Sequence, residues 1–353
     1  MTYALTSYFG ELLKNIEPPQ NRQDAAVEVS ERVREFLKNH EDFPTSDPYS
    51  RLSGSYRRHT AIGDIKDVDI IVKVDASLEE SPGSIIRNLK NTLDGLPNAL
   101  GLKGYSEIKQ SRRSVHVYFE DKDFHLDVVP AIVPKEIDQK LYVPDKSWGK
   151  WIESNPIGYC RHLSELNDKY NGKVVPLIKL TKHFRDYNMK IMKPKSYWLE
   201  ALVVYHVKNG SIDMNQSIAE IFRDLMSAIY NKFAPLIGRD DEATPHIPDP
   251  MLGNDISWNW DRPHFETFMN RVKEAKEVAT KALKTDNQEE AIKLWQSVFG
   301  DEKFPKAVSK TSSKLSDFTP GVAFVGSSGL INPRPSPSVK TVRSQPTTFY
   351  GDY

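Results

Sequence analysis

The chain has 353 residues and a single cysteine, Cys160. One cysteine cannot form an internal disulfide bond, so the composition favours a reducing compartment. It also argues against zinc. His162 lies two residues further on, but one cysteine and one histidine do not complete a tetrahedral zinc site. We therefore interpret this pair as ordinary packing residues.

Long apolar segments and an excess of one charge are missing as well. No apolar run approaches the length of a membrane span, and the N-terminus lacks the basic segment and apolar core of a signal peptide. The 48 Lys and Arg residues balance the 48 Asp and Glu residues. This balance argues against a strongly basic nucleic-acid binder and against tRNA or poly(A) as a substrate. We predict a soluble, cytoplasmic protein that does not associate with membranes.

Two kinds of hydrophobic periodicity divide the chain. Alternating apolar and polar residues predict strands at 67–75, 114–120 and 124–132, the last two joined by a hairpin turn. Helical spacing predicts helices at 3–16, 23–39, 83–94, 173–188, 196–208, 214–233, 263–284 and 287–298. A chain of this length is large enough for two domains, or for one bilobal unit with a substantial core.

The composition changes after Phe304. Residues 305–353 are rich in Ser, Thr, Pro and Gly and contain few large apolar residues. Such a segment cannot bury enough apolar surface to fold alone, which predicts an extended or disordered tail. The alternative is that VAFVG at 322–326 adds an edge strand to the sheet or docks on a partner.

The first predicted strand begins with two acids, Asp67 and Asp69, on one face. Like charges on one strand face repel, and nothing in folding requires them. A cation held between them would explain the pair. The alternative is an edge strand whose acids are simply solvated.

A third acid, Asp127, lies inside the apolar strand FHLDVVP. A carboxylate there is costly to bury unless it is paired or bound to a metal. Two paired strands would bring it beside Asp67 and Asp69. Three carboxylates form a hard oxygen site that suits Mg²⁺ or Mn²⁺ rather than zinc. Two such ions about 3.5–4 Å apart clamp the attacking and leaving oxygens of a phosphoryl transfer.

Other residues are suited to holding phosphate. At Gly54-Ser55 the backbone and a hydroxyl can approach phosphate oxygens closely. The helix PLIKLTKHFRDY carries Lys182, and Ser196 begins the next helix; a compact cation and a helix-start hydroxyl both suit a triphosphate. The alternatives are a solvated helix face for Lys182 and an N-cap for Ser196. Arg58 is a candidate for phosphate binding or structural bracing.

Several segments together resemble one family. The spacing of the Gly-Ser turn, the Asp-x-Asp pair and the later LDVVPA strand is similar to that of the DNA-polymerase-β-like nucleotidyltransferases. More narrowly, the chain resembles the bacterial CD-NTases, relatives of cyclic GMP-AMP synthase and oligoadenylate synthase. The segments that carry this resemblance are GSYRRHTAI, WIESNPIGY, LTKHFRDYN, KSYWLEALV, HIPDPMLGNDIS and EEAIKLWQSVFG. The resemblance runs from the first helices to about residue 305.

The resemblance implies an α+β, bilobal fold in which a small mixed β-sheet carries the acids and a helical lobe closes a nucleotide cleft. It assigns 1–150 to the catalytic core with the N-terminal helices and 151–304 to the helical lobe, and it leaves the tail at 305–353 uncovered. The site residues that it implies are Asp67, Asp69 and Asp127 for two metal ions, Gly54, Ser55, Lys182 and Ser196 for the donor triphosphate, and Tyr197 for the donor base. Asp127 would also activate the acceptor hydroxyl.

The implied function is a Mg²⁺-dependent nucleotidyltransferase, with Mn²⁺ as a substitute, that joins nucleoside triphosphates and releases pyrophosphate. Its product would be a cyclic di- or trinucleotide second messenger in CBASS anti-phage defence, with ATP among the substrates. The tail is a candidate attachment point for regulatory or effector proteins. The alternatives are a linear 2′-5′ oligoadenylate synthase, an RNA-end or protein-modifying nucleotidyltransferase, and a nucleotide-binding module without turnover.

Two departures from the family pattern bear on base preference. His59 and Phe184 replace residues usual in the family, and neither belongs to the acid triad. We interpret Trp148, Trp151, Trp258 and Trp260 as core and lobe-interface residues. The alternative is that one of them lines the acceptor pocket.

Overall fold

The computed structural model describes residues 5–307 with gaps at 39, 42, 44, 66, 102–106, 121–122, 137–138, 240 and 242–243, and three short strands beyond them. The chain divides into two compact units, Met1–Pro305 and Lys306–Tyr353. The helices are α1 (Thr6–Ile16), α2 (Gln20–Lys38), α3 (Gly54–Arg57), α4 (Pro82–Leu93), α5 (Leu96–Ala99), α6 (Pro156–Lys169), α7 (Val174–Asn188), α8 (Ser196–Lys208), α9 (Ile218–Phe233), α10 (Arg262–Lys284) and α11 (Gln288–Phe299). The strands are β1 (Thr45–Ser53), β2 (Asp67–Val74), β3 (Ile108–Gln110), β4 (Val115–Phe119), β5 (Phe124–Ala131), β6 (Leu141–Asp145), β7 (Lys150–Ser154), β8 (Ala323–Val325), β9 (Ile331–Asn332) and β10 (Lys340–Val342).

A five-stranded sheet organises the first half of the larger unit. Its strand order is β1-β2-β5-β4-β3. The central pair β2 and β5 is parallel, and the other pairs are antiparallel, so the sheet is mixed. Strand β2 is paired on both sides, which excludes the alternative of an edge strand with solvated acids. The mixed α+β architecture predicted from the sequence is confirmed.

One face of this sheet forms a core with α2 and α4. Val68, Ile70 and Val72 of β2 are fully buried there, as are Val33 of α2 and Leu89 of α4. Both helices place apolar residues at helical spacing on the sheet side, and α4 starts with Pro82 in its first turn, where the missing N–H costs no hydrogen bond. Asp67 and Asp69 alternate along β2 with Val68 and Ile70, so the two acids lie on the opposite face of the sheet.

The helices α6 to α11 form a second core, and α1 belongs to it. Phe9 of α1 is fully buried and lies edge-on to Trp295 of α11, with ring centroids 4.9 Å apart. The ring of Phe304, just beyond α11, has its centroid 5.4 Å from that of Phe9. Asn15 Nδ2 donates to the Lys303 carbonyl at 2.9 Å. The first helix therefore closes the core that the last helices build.

Several elements were not predicted. The strands β1, β6 and β7 have too little apolar alternation, and β1 contains Pro48 and several polar residues. Helix α6 starts at Pro156 behind Asn155, whose side chain accepts from Gly158 N. Helix α9 begins at Ile218 rather than 214 because Ser217 and Glu220 form a capping box.

The described parts of the second unit form a small sheet. Ala323–Val325, inside the VAFVG segment, pairs with β9 and with β10. The rest of 308–353 lies outside the described residues, so the extended or disordered tail stays a prediction. In the portion of the chain that is described, no helix combines the length and apolarity needed to cross a membrane.

We expect Phe9→Ala to destabilise the larger unit by about 3–5 kcal/mol, because it leaves a cavity among buried aromatic rings. Denaturant unfolding measures this change. The matched control is Glu11→Ala, an exposed position on the same helix, which should change stability by no more than about 0.5 kcal/mol. A loss below about 1 kcal/mol for Phe9→Ala would show that α1 is not part of the core.

Candidate active site

Three acids meet on the face of β2 and β5 that lies opposite the core formed with α2 and α4. Asp69 and Asp127 are direct partners in the parallel ladder, so their side chains leave the sheet on the same face. Asp67 lies two residues before Asp69 and shares that face. Asp67 is exposed, and the other two are half-buried. The strand pairing expected for the three acids is confirmed.

The three carboxylates repel one another. The pKa of Asp69 is raised to about 6 by burial and then by the charges of Asp127 and Asp67, while Arg58 opposes the shift. A divalent cation would reverse this repulsion. Within the described part of the chain, no three His, Cys, Asp or Glu side chains are already gathered as a metal site. The donor set nevertheless fits a hard cation, because it consists of carboxylate oxygens on one face.

Gly54 lies directly against the acids. Its neighbour Ser53 is paired with Asp69 across β1 and β2, and Gly54 itself has φ +72°. A Cβ at this position would overlap the Asp69 carboxylate and lie 2.8 Å from its Cγ. Only glycine therefore allows the backbone to turn so close to the acids. Ser55 follows in α3, and its carbonyl accepts from Thr60 N at 3.0 Å, which closes the turn.

A buried ion cluster connects this turn to the helical core. Glu200 of α8 is 1% exposed and accepts from Arg58 Nε at 2.8 Å, from Lys182 Nζ at 2.6 Å and from Thr60 Oγ1 at 2.8 Å. Burial alone would raise the pKa of Glu200, but Arg58 and Lys182 outweigh it and hold the pKa at about 2. Glu200 is therefore ionised and ties α7, α8 and the Gly-Ser turn together.

Lys182 is part of this cluster rather than of a solvated helix face. Besides Glu200, its ammonium group lies 2.9 Å from the Thr60 carbonyl and 3.2 Å from Thr60 Oγ1. An ammonium group has three donors, and three acceptors surround this one. A triphosphate contact would have to replace one of them, so this expected role stays a prediction. Arg58, a candidate for bracing, does brace the turn.

Ser196 and Tyr197 open helix α8. The N-cap is Lys195, which makes no side-chain cap, so the capping alternative for Ser196 is wrong. The Ser196 hydroxyl accepts a hydrogen bond from Arg185 Nη1 at 3.0 Å. The Tyr197 hydroxyl donates to Asp249 Oδ2 at 2.9 Å. The guanidinium carbon of Arg58 lies 6.0 Å from the Tyr197 ring centroid, so the acid side and the tyrosine are linked through one residue.

The sequence reasoning missed two residues beside Asp127. Ser114 Oγ donates to Asp127 Oδ1 at 2.9 Å, and His116 Nδ1 lies 2.8 Å from the same oxygen. His116 is the cross-strand partner of Asp127. The alternation in SVHVYFE was the available signal, because it places His116 on the face opposite the buried Val115 and Val117. Glu200 was visible in KSYWLE, but nothing in that segment indicated its partners.

Comparisons with known proteins agree with this geometry. Residues 2–167 match the model of the Second Messenger Oligonucleotide or Dinucleotide Synthetase domain. A cyclic AMP-AMP-AMP synthase from Acinetobacter sp. is 30% identical over 319 residues, which cover 88% of this chain and 88% of the relative. A cyclic AMP-AMP-GMP synthase from Enterobacter hormaechei is 25% identical and covers 89% of this chain and 96% of its own length.

Solved structures agree on the fold. CdnC from E. coli, solved in complex with HORMA-deltaN, superposes with a TM-score of 0.66 at 17% identity. The match covers 85% of this chain and 98% of that chain. At this identity the likeness establishes the fold alone.

We expect Glu200→Gln to lower the free energy of unfolding by about 3–5 kcal/mol, because it leaves two buried cations without their anion. Thermal or denaturant unfolding measures this loss. Glu266→Gln is the control, since Glu266 pairs with Arg262 at 2.7 Å but is 39% exposed. Because the carboxylate of that pair is exposed to solvent, loss of the pair should change stability far less than the loss of Glu200 does. Equal effects of the two substitutions would contradict the bracing role.

The wild type and Glu200→Gln should also differ in how their stability depends on pH. The pKa of Glu200 is about 2 in the folded chain, below its ordinary value of 4.5. Its stabilising contribution is therefore complete above about pH 4.5 and is lost as the pH falls toward 2. The wild type should lose more stability over this range than Glu200→Gln does. Parallel curves would rule out an ionised Glu200.

Proposed function

This chain belongs to the bacterial CD-NTases, nucleotidyltransferases that make cyclic oligonucleotide second messengers, and we propose that it joins nucleoside triphosphates, ATP among them, into a cyclic trinucleotide. The resemblance to a cyclic trinucleotide synthase carries the proposal, and the geometry of the site agrees with it. The chain resembles a cyclic AMP-AMP-AMP synthase over 88% of its length and also brings three acids to one sheet face beside a Gly-Ser turn. Homologues of the chain act in CBASS anti-phage systems.

In the proposed reaction, a ribose hydroxyl attacks the α-phosphorus of a triphosphate and pyrophosphate leaves. Asp127 takes up the proton of the attacking hydroxyl. Both hydrogen bonds that the described residues make to its side chain end on Oδ1, so we assign the proton to Oδ2. Ser114 and His116 hold Oδ1 and so fix the orientation of the Asp127 carboxylate. The second oxygen, Oδ2, therefore points in one direction.

Members of the family generally use divalent metal ions. We infer Mg²⁺ here, with two ions held by Asp67, Asp69 and Asp127 and with Mn²⁺ as a substitute. When bound, these ions would neutralise charge on the attacking and leaving oxygens. The raised pKa of Asp69 supports this assignment, because the acids are arranged at an electrostatic cost that a cation would remove.

The donor triphosphate is proposed to lie over Gly54 and Ser55. Gly54 has no side chain to keep a phosphate away from the acids, and the Ser55 hydroxyl is a donor. Tyr197 offers a ring for the donor base, and its hydroxyl is held by Asp249. Lys182 and Ser196 remain proposed phosphate contacts, the first requiring a change of partner in the buried ion cluster.

A regulatory partner is also proposed. The E. coli neighbour was solved in complex with HORMA-deltaN, and we propose that a protein of this regulatory kind binds the present chain, with the tail at 305–353 as one attachment point. Nucleic acid is not proposed as a substrate, because the charges of the chain balance.

The experiment that tests the function is incubation of the purified chain with each labelled nucleoside triphosphate and Mg²⁺, followed by phosphatase. We expect a product that resists phosphatase, since a ring has no terminal phosphate. A linear oligoadenylate synthase would instead give products whose ends the phosphatase trims. Full recovery of unreacted triphosphate at all metal and substrate concentrations would refute an enzymatic role.

The acid assignment has its own test. Asp69→Asn and Asp127→Asn should each lower product formation by about 100-fold or more, because loss of a metal ligand removes several kcal/mol of transition-state stabilisation. In metal-free buffer, Asp69→Asn should melt no earlier than the wild type, since it relieves repulsion. Asp94→Asn, an exposed acid paired with Lys90, is the control and should remain fully active. Substantial activity in either acid variant would sink the assignment.

A further inference from the structure

Two exposed tryptophans, Trp148 and Trp258, lie against each other. The side chains of Trp148 and Trp258 are 52% and 65% exposed, and their ring centroids lie 6.3 Å apart at an interplanar angle of 43°. By contrast, Trp198, Trp260 and Trp295 are buried. Trp260 is therefore a core residue, as expected, whereas Trp148 and Trp258 are not buried but touch each other across the boundary between the predicted core and helical lobe. Large exposed aromatic rings that face each other are typical of a binding surface.

Trp148 has partners for both its backbone and its ring despite its exposure. It lies in the turn between β6 and β7, where its backbone N–H donates to Asp145 at 3.2 Å. Asp145 is fully buried and also accepts from Arg112 Nε at 2.8 Å and from Arg113 Nε at 3.0 Å. The Arg112 guanidinium lies 4.4 Å above the Trp148 ring. One buried carboxylate thus fixes a platform made of a tryptophan and two arginines.

This platform lies close to the proposed catalytic acid. Arg112 is two residues from Ser114, whose hydroxyl donates to Asp127. Two residues span at most about 7 Å of chain. The guanidinium groups of Arg112 and Arg113 use Nε for Asp145 and are 41% and 45% exposed. Their outer N–H groups are therefore placed to meet a phosphate.

Trp258 is attached to the other side of the site. It follows a loop in which Asp249 accepts from Met251 N at 2.8 Å and from Leu252 N at 2.9 Å. The second oxygen of Asp249 accepts from Tyr197, the residue proposed for the donor base. Just beyond, Trp260 is buried 5.2 Å from Trp198. The tryptophan pair is thus connected to Asp127 on one side and to Tyr197 on the other.

We propose that Trp148 and Trp258 are the stacking residues for the base of the second nucleotide, the one whose hydroxyl attacks, and that Arg112 and Arg113 meet its phosphates. This proposal rests on the proposed function. A base between two parallel rings needs them about 7 Å apart, because stacked carbon atoms approach to about 3.5 Å. The two rings, now tilted by 43°, must therefore move apart and rotate toward parallel to accept a purine.

The first test is binding without reaction. The probe is α,β-methylene ATP with Mg²⁺, which cannot release pyrophosphate, and equilibrium dialysis counts nucleotides bound per chain. The wild type should bind two. In Trp148→Ala and Trp258→Ala, one of the two sites should weaken by about 5- to 150-fold, the worth of one base–aromatic stack. The Phe variants keep a ring and should stay within about threefold of the wild type.

The second test separates the two nucleotides kinetically. A 2′,3′-dideoxy ATP has no ribose hydroxyl and can act only as donor, whereas α,β-methylene ATP cannot release pyrophosphate and can act only as the attacking nucleotide, so each can be varied against the other. The Ala variants should raise KM for the attacking nucleotide by the same factor and leave KM for the donor unchanged. Leu78→Ala, which removes another exposed apolar side chain, is the control and should change neither constant.

Each outcome is decisive. If the Ala and Phe variants weaken nucleotide binding equally, or if only the melting temperature falls, the rings are a contact between the two cores and the proposal is wrong. Unaltered binding in both Ala variants also overturns it. If the wild type binds two nucleotides through these rings but forms no product, the binding site stands and the proposed reaction fails instead.

Discussion

Mutual repulsion of three carboxylates is the constraint on which the site depends. Asp69 and Asp127 are adjacent in a parallel ladder, and Asp67 shares their face. An interior strand tolerates this only because its other face is fully buried, which anchors the register. Two neighbouring residues also accommodate the acids. Gly54 allows the backbone to pass beside Asp69, and Arg58 offsets part of the negative charge.

Arg58 transmits this constraint to the rest of the molecule. Its guanidinium is bound to the buried Glu200, which also holds Lys182, and its charge acts on Asp69 from there. The turn that carries Gly54 and Ser55 is thereby fixed to α7 and α8. A buried ion cluster is costly to assemble in apolar surroundings, and its geometry is strict. We interpret it as a device that sets the position of the turn relative to the helices, not as a source of net stability.

Particular residues show where sequence reasoning succeeded. The alternation in DVDIIVKV located the acids and the buried face because a strand has a fixed period of two. The pairing with Asp127 followed from the cost of burying a lone carboxylate. Glu200 and Lys182 bind residues that are at least 18 positions away in the sequence, and no local pattern encodes these contacts. The same holds for Trp148 and Trp258, whose meeting depends on a hairpin too polar to be predicted and on a loop.

The docking of α1 against α11 has a consequence for synthesis of the chain. Phe9 needs Trp295, Phe299 and Phe304 as neighbours, and nearly the whole larger unit separates them in sequence. A ribosome adds about 5–20 residues per second, so the first helix waits tens of seconds for the residues that cover it. An apolar helix face exposed for that long invites capture by chaperones. The helical core can close only after residue 304 has left the ribosome, which makes its completion a late, single event.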